Sequence, residues 1–287
     1  MFSSLRLDAP AKINLYLHVL GKRPDGYHEL DSLIVFAGVG DVLTIEPGGF
    51  LDLIIDGPFG DDLTADEDNL VMKAARLLAD EAEIEPRAHI TLTKNLPVAS
   101  GIGGGSADAA AILKGLCELW QLSPPPDLLT AKALALGADV PICLESRPAY
   151  ISGVGEVIEP ASGLPAAHLV LANPMVAVPT PQVFAAREGT FSQADRLEQM
   201  PATVDDLATA LASRRNDLTE TVIQTAPVIS GVLNALEELD GTLISRLSGS
   251  GATCFALFAD QALADAGAQT LRRDHPDWWV TAAPLLT

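Results

Sequence analysis

Between Pro97 and Ala111 the chain reads Pro-Val-Ala-Ser-Gly-Ile-Gly-Gly-Gly-Ser-Ala-Asp-Ala-Ala-Ala, with glycine at four of the five positions 101–105. Glycine reaches positive φ at little cost, so a run of this kind can turn successive backbone N–H groups toward one point. A helix starting just after it adds its unpaired first-turn N–H groups and the positive end of its dipole. That chemistry seats an anion, most simply a phosphate. Ser106 is expected to cap the helix and Asp108 to place negative charge in its first turn. Ile112, Leu113, Leu116, Leu119 and Trp120 then recur at helical spacing. Among them, Ala107, Ala109, Ala110 and Ala111 are small enough for a neighbouring backbone to come close.

Two familiar phosphate loops are excluded. A Walker A loop needs Gly-Lys-Ser/Thr, and Gly105 is followed by Ser106-Ala107. The dinucleotide fingerprint needs glycine or alanine where Ser106 stands.

Three other clusters carry groups able to do chemistry. In Pro10-Ala11-Lys12-Ile13-Asn14, Lys12 interrupts an apolar alternating stretch, and Asn14 shares its strand face. By position alone Lys12 is a solvated strand-end lysine before it is a catalytic one. In Gly137-Ala138-Asp139-Val140-Pro141, Asp139 follows a helix end and reads first as a turn-capping residue, second as a partly buried acid. Ser248-Gly249-Ser250-Gly251-Ala252-Thr253 is a second glycine loop, which by itself indicates a tight turn.

The elements that must hold these groups follow from pattern. Arg6–Leu20 alternates as a strand, with a turn at Pro24-Asp25-Gly26 and further strands near 32–45 and 50–56. A helix from Asp66–Asn69 to about 82 precedes a strand at 88–94, the glycine loop and a helix at 106–120. After Pro124-Pro125-Pro126 a helix near 127–136 closes at Gly137. A proline-rich segment at 160–180 surrounds one short strand, His168–Asn173, and a domain boundary is expected near its start. Helices are expected near 182–187, 204–211, 216–224, 228–239 and 261–273, and strands near 243–248, 252–258 and 278–283. The fold class is α+β, with domains 1–160 and 161–287.

With 287 residues, 48% hydrophobic and 20% charged, the chain has a globular composition. Its net charge of −20 and lack of a basic stripe argue against nucleic acid and anionic membranes as partners. No apolar run approaches the ~18 residues that span a bilayer, and no secretory signal opens the chain. Cys117, Cys143 and Cys254 read as thiols of a reducing compartment, so the cytosol is the expected location.

In this order, Pro10–Asn14, Pro97–Ala110 and Ser248–Thr253 resemble the three motifs of the GHMP kinases, small-molecule kinases that include galactokinase, homoserine kinase and mevalonate kinase. The resemblance spans nearly the whole chain. Arg23-Pro24-Asp25-Gly26-Tyr27-His28-Glu29-Leu30, Gly137–Pro141 and Pro179-Thr180-Pro181 before Val183-Phe184 are similar to the branch acting on a cytidine diphosphate ester of methylerythritol. The chain departs from the pattern at Ser100, where alanine or glycine is usual, at Ile102, where leucine is usual, and at Ala107-Asp108, where Ser-Asp or Ser-Asn is usual.

The resemblance implies a ribosomal-protein-S5-like N-terminal domain, a ferredoxin-like C-terminal one and an active site in the cleft between them. It implies phosphorylation of a small-molecule alcohol, with ATP and Mg²⁺ as cofactors. Asp139 would take the proton of the acceptor's C2 hydroxyl, while Lys12 holds that carboxylate and the developing charge. Pro97, Val98, Ala99, Ser100, Gly101, Ile102, Gly103, Gly104, Gly105, Ser106 and Ala107 would bind ATP, Gly101–Ser106 cradling its phosphates, with Asn69 and Lys94 toward adenine. Asn14, Tyr27, His28, Thr180, Pro181, Gly249 and Ser250 would line the substrate, Tyr27 and His28 receiving cytosine. Another alcohol acceptor, or the ATP-dependent decarboxylation found in the same superfamily, stays open at this point.

Overall fold

The computed structural model describes residues 4–287. Its elements run β1 (Leu5–Lys22), β2 (His28–Glu46), β3 (Leu51–Asp56), a 3₁₀ turn at Gly60–Asp62, α1 (Leu70–Glu81), β4 (Ala88–Thr93) and α2 (Gly104–Leu119). Next come α3 (Pro126–Leu136), α4 (Val140–Glu145), β5 (Ala149–Gly153), β6 (Val157–Pro160), β7 (His168–Asn173), α5 (Thr180–Ala186), α6 (Val204–Ala212), α7 (Thr219–Thr225) and α8 (Val228–Glu237). β8 (Ile244–Leu247), β9 (Cys254–Phe258), α9 (Gln261–Asp274) and β10 (Trp279–Leu286) complete the chain. The expected α+β class holds. No helix of the described residues is long and apolar enough to cross a membrane.

The residues divide into two compact units. The first comprises the described residues up to Ala11, with Gly40–Val98 and Gly103–Ser146; the second comprises Lys12–Val39, Ala99–Ile102 and Arg147–Thr287. A single cut at 160 does not reproduce these units, because β1 and β2 are long enough to give residues to both.

In the first unit, β3 runs parallel to β4, and β4 pairs antiparallel with Val42–Glu46 of β2. The four helices α1 to α4 pack on one another. α2 is apolar around most of its circumference and is correspondingly buried, from Ala107 through Leu113. Its Gly115 has no room for a side chain, since a Cβ there would collide with Ile45 and Leu7.

In the second unit, Leu30–Ile34 of β2 pairs with β5, which forms a hairpin with β6. Separately, β7, α8, β8, β9, α9 and β10 make a βαββαβ pattern whose antiparallel strands lie in the order β10-β7-β9-β8. That is the ferredoxin-like arrangement anticipated for the C-terminal part. Its core includes Val170, Ala172, Ile229, Val232, Leu247, Phe258 and Leu271, all nearly inaccessible. Each buried aliphatic or aromatic side chain of this kind contributes about 1.5–3 kcal/mol.

Local expectations fail in three places. α2 begins at Gly104 with Gly103 as its N-cap, in the left-handed region at φ 67°. Ser106 is therefore inside the first turn instead of capping it, and Asp108 lies a turn further in, buried. The glycines close the loop earlier than the serine suggests. The short helix α4 follows Asp139 directly, with Pro141 pre-set for its first turn. β5 and β6 are short and broken by Gly153 and Gly155, which masks their alternation. Cys143 and Cys254 are buried and Cys117 is half-buried.

Candidate functional site

The second unit gathers Lys12, Asn14, Ala99–Ile102, Thr180, Pro181, Gly249 and Ser250. Lys12 and Asn14 are buried on one face of β1, and Lys12 Nζ donates to Asn14 Oδ1 at 3.1 Å. The Lys12 N–H donates to the Ile102 carbonyl at 2.8 Å, which ties β1 to the glycine loop. Asn14 Nδ2 donates to Ser32 Oγ at 2.8 Å, and the Asn14 N–H to Ser248 Oγ at 3.3 Å.

The two glycine loops pack backbone against backbone. Gly101 (φ 75°) and Gly249 (φ 54°) both occupy the left-handed region. A Cβ on Gly101 would run into the Gly251 carbonyl oxygen and lie 2.7 Å from the Gly251 nitrogen; one on Gly249 would lie 2.7 Å from the Gly101 oxygen. The Thr253 N–H donates to the Ser100 carbonyl at 3.1 Å. Ser100 and Ile102 are buried, and Ala99 has φ 51°. Thr180 Oγ1 and Ser250 Oγ share a hydrogen bond of 2.6 Å, and Pro181 sits in the first turn of α5.

Tyr27 follows the Pro24-Asp25-Gly26 turn, its N–H held by Asp25 Oδ1 at 3.0 Å, and the residue is 64% exposed. His28 stacks on Phe184, with ring centroids 5.3 Å apart. Burial, then the positive charges of Lys22 and Arg187, hold the His28 pKa below the ordinary imidazole value. Phe184 presents a flat apolar face beside the expected cytosine residues. Its place after Pro179-Thr180-Pro181 was the only local signal for it.

In the first unit, Pro97 and Val98 lead into the loop and Gly103 opens α2, whose first residues are Gly104, Gly105 and Ser106. The Ala107 N–H is the first to bond within the helix, to the Gly103 carbonyl at 2.8 Å. The N–H groups before it point out of the helix end, where the dipole favours an anion. Asp139 precedes α4 and makes no side-chain capping bond to it.

Asn69 and Lys94, the two residues expected toward adenine, also hold the first unit together. Asn69 caps α1: Oδ1 accepts from the Val71 N–H at 2.9 Å, and Nδ2 donates to the Thr64 carbonyl at 3.0 Å. Lys94 is buried, its ammonium held by Asp41 and by Asp108, the latter at 2.8 Å. Burial alone would lower its pKa, but the two carboxylates outweigh that and raise it. With its ammonium enclosed between two carboxylates, the Lys94 side chain supports the fold. Asn216 was missed entirely, because nothing in its local sequence marks it. Its buried Nδ2 holds the second glycine loop through the Leu247 and Gly249 carbonyls at 2.9 and 2.7 Å.

Known proteins share this arrangement. The family model for the GHMP kinases N terminal domain matches residues 69–147, and that for GHMP kinases C terminal matches 198–277. The 4-diphosphocytidyl-2-C-methyl-D-erythritol kinase of Paramagnetospirillum magneticum is 54% identical, over 99% of this chain and 100% of its own. The chain belongs to the GHMP kinase family.

A second relative of the same name, from Rhodospirillum rubrum, is 50% identical over 97% of this chain and 91% of its own. Among solved structures, a 4-(cytidine 5'-diphospho)-2C-methyl-D-erythritol kinase superposes with a TM-score of 0.82 at 34% identity, covering 99% of this chain and 100% of that one. Homoserine kinase from Cytophaga hutchinsonii shares the fold, with a TM-score of 0.73 at 18% identity over 100% of this chain and 96% of its own. GHMP kinases draw their phosphoryl group from ATP.

Proposed function

We propose that this GHMP kinase transfers the γ-phosphoryl group of ATP to the C2 hydroxyl of 4-diphosphocytidyl-2-C-methyl-D-erythritol, giving the 2-phosphate and ADP in non-mevalonate isoprenoid precursor synthesis. The observation that carries this is the 54% identity, end to end, to a relative of that name. The Tyr27, His28 and Phe184 rings support it, since an exposed aromatic beside a stacked pair offers a cytosine a flat face and a polar edge.

Asp139 accepts the proton of the C2 hydroxyl as it attacks. Lys12, kept in one orientation by Asn14, stabilises the charge that develops during transfer. The amides from Gly101 to Ser106 position the phosphates, and positioning with charge neutralisation supplies most of the acceleration in phosphoryl transfer. Among the described residues no three His, Cys, Asp or Glu side chains converge to cage a metal. Mg²⁺ would enter with the nucleotide, bound mainly through phosphate oxygens and water as this cation commonly is, and would supply neutralisation of phosphate charge. The family's two domains divide near residue 160, between the two matched segments, and the enzyme works in the cytosol.

The test is ADP release from Mg-ATP across a panel of alcohols. Turnover of the cytidine diphosphate ester with little activity on mevalonate or homoserine is the expected result. Turnover of another alcohol in its place, or release of CO₂ from a phosphorylated mevalonate, would overturn it.

A further inference from the structure

Asp41, Lys94 and Asp108 form a buried trio in the first unit that the reaction above leaves without a task. Their side chains are 0%, 2% and 3% exposed. Lys94 Nζ donates to Asp108 Oδ2 at 2.8 Å and also to Asp41 Oδ2. The other oxygen of Asp41 accepts the backbone N–H groups of Asn95 and Leu96, at 2.6 and 2.8 Å. Asn95 Nδ2 in turn donates to the Gly40 carbonyl at 3.1 Å.

Each member anchors a different segment. Asp41 holds the chain where it leaves β4 for the glycine turn, and Asp108 belongs to α2. Lys94 is itself fixed through its main chain, its N–H bonded to the Asp56 carbonyl at 2.8 Å and its carbonyl accepting from Phe59 at 3.1 Å. The ammonium thus links the end of β4 to the beginning of α2.

Gly104 shows how close that link comes to the phosphate seat. A Cβ on Gly104 would stand 3.1 Å from Lys94 Nζ and 3.4 Å from Asp41 Oδ2. Gly101 and Gly103 have positive φ, but Gly104 does not. A side chain at the third glycine of the run would press on the ion pair beneath it, whereas the first two answer to the twist of the loop. One carboxyl is in excess in the trio. Asp108 Oδ1 is buried with no hydrogen-bond partner, and burial pushes this carboxyl up against the pull of the Lys94 ammonium.

We propose that Lys94, gripped by Asp41 and Asp108, is a positioning residue for the phosphate-binding turn, fixing the start of α2 and hence the aim of the Gly104, Gly105 and Ser106 amides. The proposal rests on the reading that this turn binds ATP. An error of about 1 Å in the aim of such amides is costly, because their benefit depends on fixed geometry.

Equilibrium binding of Mg-ATP, measured by calorimetry beside the KM of the acceptor, tests it. Asp108→Ala cuts the link and should weaken ATP binding ~10–100-fold while the acceptor KM stays within about twofold. Asp108→Asn keeps an acceptor for the ammonium and should recover most of that loss. Gly104→Ala presses on the ammonium and should weaken ATP binding too, by a smaller factor when Asp108 is already alanine. Wild-type ATP affinity in a folded Asp108→Ala protein, or an equal loss for ATP and acceptor, would overturn the proposal. If Asp108→Ala does not fold, wild-type affinity in Gly104→Ala would overturn it. A wild-type protein that binds no ATP would instead overturn the functional reading on which the proposal stands.

Discussion

Lys12 Nζ donates to Asn14 Oδ1 at 3.1 Å, from the same buried face of β1. The Asn14 amide cannot flip without loss, because its Nδ2 is already committed to Ser32 Oγ at 2.8 Å. Ser32 Oγ donates onward to the Tyr16 carbonyl. The asparagine is thereby keyed with its oxygen toward the ammonium. Asn14→Ala is expected to lower kcat ~10–100-fold by loosening the hold on the ammonium. Its stability should fall by only about 1–3 kcal/mol, the range for one buried hydrogen-bonding group left without its partner. Steady-state kinetics with a parallel thermal melt checks this, and an unaltered kcat would remove Asn14 from the site.

Asp139→Asn should lower kcat by ~10²–10⁴ if the carboxylate is the general base. The side chain makes no capping bond to α4, so the amide should leave that helix in place. Lys12→Met should cause a loss of similar size. The double variant should be little worse than either single one, since groups that act as a unit are strongly non-additive. Independent, multiplying losses would show that the two do not act in one step.

How much of this was legible depends on separation along the chain. The glycine run, the Lys12–Asn14 pair and the C-terminal alternation of helices and strands are local patterns, and the structure contains each of them, whereas the ferredoxin-like order followed from the family resemblance. The Lys94–Asp41 contact joins residues 53 positions apart, and neither residue carries a mark of burial in its own neighbourhood. Asp108 illustrates the same limit. Its place near a helix start suggests a dipole-stabilising acid, whereas one turn's shift in that start makes it a buried partner for a lysine. Asn216 supports the second glycine loop from 31 and 33 positions away.

Interlocked glycine loops predict an order of sensitivity within the run. Gly101→Ala must place a Cβ against the Gly251 backbone and hold an L-residue at φ 75°. Backbone cannot yield as a side chain does, and positive φ alone costs about 1–2 kcal/mol for a residue with a Cβ. Gly105→Ala meets only a methyl of Leu70, at 3.4 Å. Thermal melts should therefore show a clear loss for Gly101→Ala and little for Gly105→Ala. Equal losses would mean that the two loops do not constrain each other.

The depressed pKa of His28 has a consequence for cytosine recognition. Burial together with the charges of Lys22 and Arg187 disfavours the imidazolium, so the ring is neutral at pH 7 and protonates only below the ordinary imidazole range. A neutral ring keeps one nitrogen as donor and the other as acceptor. Inhibition by cytidine nucleotides should be flat across neutral and mildly alkaline pH and should weaken as the medium becomes acidic. In His28→Gln, which cannot titrate, that acid limb should vanish. An acid limb of the same shape in the variant would assign it to another group.

Asp31 should shape the acid stability of the fold. Burial opposes its ionisation, but the His18 imidazole 3.6 Å away, with hydrogen bonds from the Asp195 N–H and the Tyr16 hydroxyl, outweighs that penalty and holds its pKa below the usual carboxylate value. The Asp195 N–H lies 2.8 Å from Oδ2, and the Tyr16 hydroxyl 3.2 Å from Oδ1. Because the folded-state pKa is depressed, the stabilisation is complete above the unfolded value of about 4 and is lost as pH falls through the folded one. Asp31→Asn replaces one of the two acceptor oxygens with an NH₂ donor, so the Asp195 N–H and the Tyr16 hydroxyl no longer both donate to an ionised carboxylate. The variant should be about 1.5–3 kcal/mol less stable at neutral pH, the range for hydrogen bonds to a charged group. Its stability should also fall less steeply on acidification, so that denaturant melts of the two proteins converge toward low pH. Parallel curves at every pH would show that folding does not shift the Asp31 pKa.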